Sequence, residues 1–385
     1  MKDEGQKELL FKHFSAQGHY VQVEVPVYHS GGLREQDKLI TDIDVLAFRP
    51  GNDLRWELVL GDCKTLKGQS PANRAIWLRG LMDHVGASTG VLILQRRSGQ
   101  DIEPDHKLFA SSLGITLLDE QEFDKFDRAL NYPAGTSSYW QSTADIFDLR
   151  KLGTRFHRLQ PFIEYLTAYA WNNLDYTELL RRVIGEGKSV AGEIDPGKPE
   201  HLALILEASA VFAIGAASCG GTIFHQYLQP ESERQLDEAL KSIIWGGRSR
   251  YEFVAKLRGE LLTARGVQDD KAGGPLALPR WEEFVQLIRN LLEHPRLGFR
   301  VPQVLRSAAI DVLRSRPLLR ESRDVDLPLL KLAMLTCRYY GRACAFPGDT
   351  VTKLSQLFAQ LQSEIVHNER PAIVDAATTE GPPPF

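Results

Sequence analysis

Apolar positions in the first third of the chain change period repeatedly. Residues 6–17 place Leu9, Leu10 and Phe14 on one face of a helix that Gly18 ends. Residues 20–27 then alternate, with Val21, Val23, Val25 and Val27 on what a strand would bury as a single face. A polar loop with two glycines covers residues 29–38, a second strand covers 39–48, and Pro50-Gly51-Asn52-Asp53 is a turn signal. Residues 56–64 read as a third strand. Pro71 opens a helix to residue 85, followed by a short strand at 90–94, a helix at 105–113, a strand at 115–118 and a small helix at 121–126. A strand-rich opening followed by helix–strand–helix–strand predicts a mixed α/β sheet with helices packed on it.

The pattern changes after residue 130. Residues 131–145 are rich in Tyr, Ser, Gly and Pro and read as a linker. From 146 to 370 helical periodicity dominates, as at 174–184, 236–244, 281–292, 301–314, 327–340 and 350–367, and no repeat of fixed period is present. Breaks are expected at 185–199, 268–279, 295–300 and 345–348. Residues 371–385 end in Gly-Pro-Pro-Pro-Phe and read as a disordered tail. The organisation expected is therefore an α/β domain over 1–130, a linker over 131–145 and a mainly α-helical domain over 146–370. A length of 385 residues agrees with two domains.

Composition adds three constraints. The apolar run at 202–214 contains Glu207 and leads into a Gly-rich stretch, which fits a buried helix better than a membrane span. The opening residues lack the pattern of a secretory signal. Cys63, Cys219, Cys337 and Cys344 match no zinc motif and mark no disulfide framework, so they read as reduced thiols of a cytoplasmic protein. The net charge of −4 conceals a basic stretch, because residues 241–342 hold 19 Lys and Arg against 11 Asp and Glu. Arginine dominates there, which suits phosphate contact; solvated helix surfaces would give the same count.

Candidate chemistry lies on the second and third strands, Thr41-Asp42-Ile43-Asp44-Val45 and Leu58-Val59-Leu60-Gly61-Asp62-Cys63-Lys64. Side chains alternate along a strand, so Asp62 and Lys64 share a face and Cys63 takes the other. A hairpin through the turn at 50–53 would set Asp44 opposite Asp62. Two converging carboxylates beside a lysine form a hard-oxygen site for Mg²⁺ or Mn²⁺, suited to phosphodiester hydrolysis. Lys64 would position the attacking water or offset transition-state charge. A salt-bridged pair at a strand end is the plainer alternative for Asp62 and Lys64. However, Asp62 closes a strongly apolar run, where a carboxylate without a partner is costly. Asp42 shares a face with Asp44 and competes with it for the same role.

This arrangement resembles the PD-(D/E)xK, or restriction endonuclease-like, nuclease superfamily. Asp44 matches the first metal-binding acid of that pattern, and Asp62-Cys63-Lys64 matches its (D/E)-x-K signature. Glu8 lies where the family often places a further glutamate on the helix before the first strand. The segment Leu113-Gly114-Ile115 to Phe123 looks like the closing strand and helix of Mrr-type and resolvase-like members. The likeness covers residues 1–128, and Ile43 stands where the nominal proline would precede Asp44. It implies a restriction endonuclease-like fold and a metal-dependent nuclease acting on DNA, with a role in restriction or defence by analogy. Asp44, Asp62 and Glu8 would be metal ligands, with Lys64 beside them.

Weaker candidates surround that core. Arg34 and Lys38, in the glycine-containing loop, and Arg74, on the following helix, would contact a nucleic-acid backbone. Plain loop or helix solvation explains them equally. In the second half Arg248, Arg250 and Arg300 are interleaved with Trp245, Tyr251, Trp281, Phe299, Tyr339 and Tyr340. That mixture suits phosphate contact with base stacking, or simply a bundle with aromatic core and arginine surface. The helical half would supply recognition, oligomerisation or a partner contact. The rival to a nuclease is a nuclease-like fold that no longer cuts and serves as a nucleic-acid-binding or scaffolding module.

Overall fold

The structure is a computed structural model, described over residues 3–29, 38–65, 70–95, 101–130, 141–171, 175–266, 276–319 and 325–369. The first helix, α1 (Glu4–Ala16), leads through Gly18 at φ 77° into β1 (Tyr20–His29). The strands β2 (Lys38–Pro50) and β3 (Trp56–Thr65) follow, then α2 (Pro71–Val85), β4 (Thr89–Gln95), α3 (Pro104–Ser112), β5 (Ile115–Asp119) and α4 (Glu120–Leu130). These strands form one five-stranded sheet in the order β1-β2-β3-β4-β5. The pairs β1/β2 and β2/β3 are antiparallel, while β3/β4 and β4/β5 are parallel. The parallel half has helical crossovers because a parallel step cannot be closed by a tight turn. The predicted mixed α/β sheet with a helical remainder is therefore present.

Two apolar layers sandwich the sheet. On one side Leu10, Phe11 and Phe14 of α1 and Phe123 of α4 pack on Val21, Val23, Val45, Ala47 and Val59. On the other, Ala75, Leu78 and Met82 of α2 join Leu58, Leu60, Leu92 and Leu94. Gly61 lets α1 approach: a Cβ there would lie 2.8 Å from Leu10 Cδ1 and 3.1 Å from Val45 Cβ. The four valines of β1 do not share a face as expected. Val21 and Val23 belong to the α1 side, Val25 and Val27 to the opposite core. Glu24 lies between them at φ 48°, and this single left-handed residue reverses the strand. The partner strand reverses at the same level, since Val45 packs with Val23 and Ile43 with Val25.

The helical remainder comprises α5 (Thr143–Arg155), α6 (Gln160–Thr167), α7 (Tyr176–Ser189), α8 (Pro199–Tyr227), α9 (Glu233–Ile244) and α10 (Arg248–Ala264). It continues with α11 (Trp281–Glu293), α12 (Pro295–Gly298), α13 (Val301–Leu313), α14 (Leu327–Ala343) and α15 (Gly348–Glu369). The axis of this half is α8, long and apolar enough to cross a membrane but buried almost throughout among the other helices. The helix runs on through its Gly-rich stretch to Tyr227. A Cβ on Gly215 would meet Leu180 Cβ and the Tyr176 carbonyl at 2.8 Å, and one on Gly221 would collide with the Leu54 carbonyl. Those glycines allow close approach of neighbouring backbone. The tip of the β2–β3 hairpin is thereby seated on α8, where Trp56 Nε1 donates to the Ile214 carbonyl at 3.0 Å.

The boundary at residue 130 separates chain segments of different character, while apolar packing runs across it. Tyr20, Phe48 and Trp56 of the sheet belong to the same buried cluster as Trp171, Phe212 and Phe299. A polar knot crosses the same boundary. Arg306 of α13 is fully buried, donates through Nε to Glu207 of α8 at 3.0 Å and lies 3.6 Å over the Tyr20 ring. It also donates to the Val21 carbonyl and the Tyr20 hydroxyl, and Tyr20 in turn donates to Glu207 at 2.8 Å.

Candidate active site

Asp44, Asp62 and Lys64 converge where β2 parts from β3. The β2/β3 ladder ends at Val45 and Gly61, so the next residues, Asp44 and Asp62, stand at the fork. There the Asp44 side chain replaces a strand partner: its Oδ2 accepts from the Cys63 amide at 2.9 Å. Asp44 and Lys64 both act on the Asp62 charge, in opposite directions. Asp42, the competing acid, is exposed on the outer part of β2. Cys63 lies in the α1-side core, on the face opposite Asp62, and burial pushes its thiol well up.

Each carboxylate carries a cation from a neighbouring helix. Arg74, one turn into α2, donates from Nε to Asp62 Oδ2 at 2.6 Å and from a second nitrogen to Oδ1. Its guanidinium lies 3.7 Å over the Trp77 ring, which holds it in place. Burial pushes the Asp62 carboxyl above the usual carboxylate range, against the pull of Arg74. Lys7 of α1 reaches Asp44 Oδ1 at 2.9 Å and Glu24 at 3.0 Å. Burial alone would lower its pKa, but Asp44 and Glu24 outweigh it and hold the ammonium well above its ordinary value.

The other predicted residues lie elsewhere. Glu8 accepts from the Thr143 amide at 2.8 Å and from the Thr143 hydroxyl at 2.6 Å, and pairs with Lys12 at 3.0 Å. These bonds, together with Lys12, keep its carboxyl low although burial opposes them. In the structure Glu8 fastens α1 to the start of α5, and the α1 residue touching Asp44 is its neighbour Lys7. Arg34 lies outside the described residues, with the rest of 30–37, and Lys38 is exposed at the start of β2. Arg248 and Arg250 are exposed on α10, where Arg248 pairs with Glu252. Arg300 faces a cleft at the far end of the sheet. Of the interleaved aromatics, Phe299, Tyr339 and Tyr340 are core residues.

The sequence reading missed Lys7 and Glu24. Lys7 precedes Leu10 and Phe11 by three and four positions, so it belongs to the apolar face of α1, and a buried lysine requires an acid partner. That was the available signal. Glu24 gave none, since it occupied a polar position in an alternating strand.

Among the described residues no group of three or more His, Cys, Asp or Glu side chains is placed to hold a metal ion. The donor set at the fork is the pair Asp44 and Asp62. Two hard-oxygen carboxylates suit Mg²⁺, which keeps several waters and takes one or two carboxylates. Both carboxylates are already engaged, Asp44 by Lys7 and the Cys63 amide and Asp62 by Arg74 through both oxygens, so an ion would have to displace Lys7 and Arg74. No protein-family model matches this chain, and no curated protein or solved structure matches it significantly.

Proposed function

We propose that this protein is a metal-dependent nuclease built on a restriction endonuclease-like core, with DNA as its substrate. The observation that carries this reading is the fork between β2 and β3, which gathers Asp44, Asp62 and Lys64 at one strand end. Mg²⁺ or Mn²⁺, when bound, would supply Lewis acidity and a water of lowered pKa. Asp44 and Asp62 would hold that ion. Lys64, for which no hydrogen bond or ion pair occurs among the described residues, would donate to the attacking water or to a non-bridging phosphate oxygen. Arg74, on leaving Asp62, would be placed to take a phosphate oxygen, with Trp77 steadying it. A part in restriction or defence rests on fold analogy alone.

The cations on both carboxylates favour a second reading, in which Lys7 and Arg74 are permanent counter-ions and the fold binds nucleic acid without cutting it. Plasmid cleavage in Mg²⁺ or Mn²⁺ separates the two. The nuclease reading expects nicking or linearisation by the wild type and a loss of about a hundredfold or more in Asp62→Ala and Lys64→Ala. Equal cleavage in both variants refutes the site, and intact DNA and RNA with retained binding favours the second reading.

A further inference from the structure

A second site lies at the opposite end of the sheet, in a cleft of about 480 Å³ between the end of α1, the β2–β3 hairpin and the α12–α13 corner. Asp44 is six residues from Pro50 along β2, which at 3.3 Å per residue puts about 20 Å between the fork and this cleft. Arg49, Arg296, Arg300 and His19 line it, and none of its lining residues is an Asp or a Glu. Arg49 shares its charge with Glu57, to which its Nε donates at 3.0 Å. Arg296 is exposed and has no carboxylate partner among the described residues. Arg300 caps the start of α13, so the positive end of that helix dipole adds to the cationic field.

The remaining walls suit a ligand with an apolar part. Half-buried Pro50 gives an apolar wall, backed by the buried side chains of Leu54 and Phe299, and Phe299 is fixed by the Trp56 ring at 4.8 Å. His19 is buried and its Nδ1 has no hydrogen-bond partner among the described residues. Burial, with Arg49 and His13 nearby, drives its pKa down to about 3, so at neutral pH the ring offers a neutral donor or acceptor. Leu54, which closes the turn, takes a left-handed φ of 59° that few large side chains adopt; the hairpin tip is held in that shape by α8.

We propose that this cleft binds a phosphate ester of nucleotide size, with its phosphates on Arg296 and Arg300 and its ring over Pro50. Guanidinium pairs recognise phosphate oxygens two at a time, which a carboxylate ligand would use less fully. A volume of about 480 Å³ is that of a small-ligand pocket. The site is independent of the nuclease assignment, because it shares no residue with the fork.

Calorimetric titration of the full chain tests the proposal with ADP, GDP, pyrophosphate, adenosine and a short single-stranded oligonucleotide. Expected are binding of one nucleoside diphosphate per chain, weaker binding of pyrophosphate and none of adenosine. The double variant Arg296→Ala/Arg300→Ala should weaken nucleotide binding by about a hundredfold or more, since each arginine makes a charge-assisted bond. Arg248→Ala and Asp62→Ala should bind as the wild type does. Should the double variant misfold by circular dichroism, the exposed single change Arg296→Glu must still weaken binding at least tenfold, about one tenfold step in free energy. Failure of the wild type to bind either diphosphate or pyrophosphate overturns the proposal, as does unchanged affinity in the arginine variants. Binding of the oligonucleotide alone also overturns it and makes the cleft part of a strand path.

Discussion

Lys7 stands where a metal-dependent site would want no cation, and this makes it informative. Its ammonium offsets two carboxylates, so Lys7→Met leaves Asp44 without its cation and Glu24 with Arg150 alone, 4.0 Å away. We expect that change to destabilise the protein by about 2–4 kcal/mol at pH 7 in the absence of metal. Because the folded-state pKa of Lys7 is raised, its contribution is complete below the normal lysine range near 10.4 and declines only as pH rises through the folded value. If Lys7 competes with a metal, Mn²⁺ should raise the melting temperature more in Lys7→Met than in the wild type. Equal shifts in thermal scans would show that the ion, if bound, ignores Asp44. His19 makes the opposite prediction. Its folded pKa is depressed to about 3, so the unfolded chain binds the extra proton below about 6.5 and stability falls as pH drops through that window. His19→Gln should therefore flatten the stability profile between pH 6 and 4 by about 1.4 kcal/mol per pH unit, measured by urea unfolding. An unchanged slope would place the acid sensitivity elsewhere.

The strands and helices of the first 130 residues were legible in the chain because their apolar periods are clean and Gly or Pro punctuates them. The succession of strands and helices followed from the same pattern, as did the expectation that Asp62 and Lys64 share a face. What escaped was information held by contacts distant in sequence. Glu24 reverses β1 without any local signal, since a glutamate in the left-handed region is fixed by its surroundings and not by its own preference. The glycines of α8 carry no local sign of their use, since they make room for Leu180 and Leu54, which no local window contains. Glu8 was expected as a ligand because the family resemblance places an acid on this helix, although the spacing of Leu10 and Phe11 turns residue 7 and not residue 8 toward the sheet. Arg306 looked like surface charge within a basic stretch and is instead interior. Removing its guanidinium by Arg306→Met strands Glu207 in the core and should cost about 3–5 kcal/mol. Adding Glu207→Leu should recover most of that loss, because an apolar pair can replace a buried ionic one. If the double variant is no more stable than the single one in urea titrations, the pair contributes something beyond mutual neutralisation.

Sheet and helices share one apolar cluster, so the whole chain is expected to unfold as a unit. Trp171 lies against Tyr20 and Phe48, with ring centroids 5.6 and 5.1 Å away, and reports on that shared interior. Tryptophan emission and far-ultraviolet dichroism should give coincident urea transitions. A fragment of residues 1–130 would expose Tyr20, Phe48 and Trp56 together with Gln22 and the Val21 carbonyl. It should be largely insoluble, or bind a hydrophobic dye strongly, whereas a soluble fragment with a sharp transition would show that the sheet stands by itself.

The same contact between Tyr20 and Arg306 has a meaning in time. The two residues are 286 positions apart in the chain. At ribosomal speeds of about 5–20 residues per second, roughly 15–60 s separate the emergence of β1 from that of its buried arginine. For most of that interval the sheet has α1 and α4 on one face and α2 on part of the other, while the apolar surface around Tyr20, Phe48 and Trp56 that the later helices cover stays open. The newborn protein therefore carries a sticky, half-dressed sheet for most of its synthesis, and its yield in a cell should depend on holdase chaperones more than its finished stability would suggest.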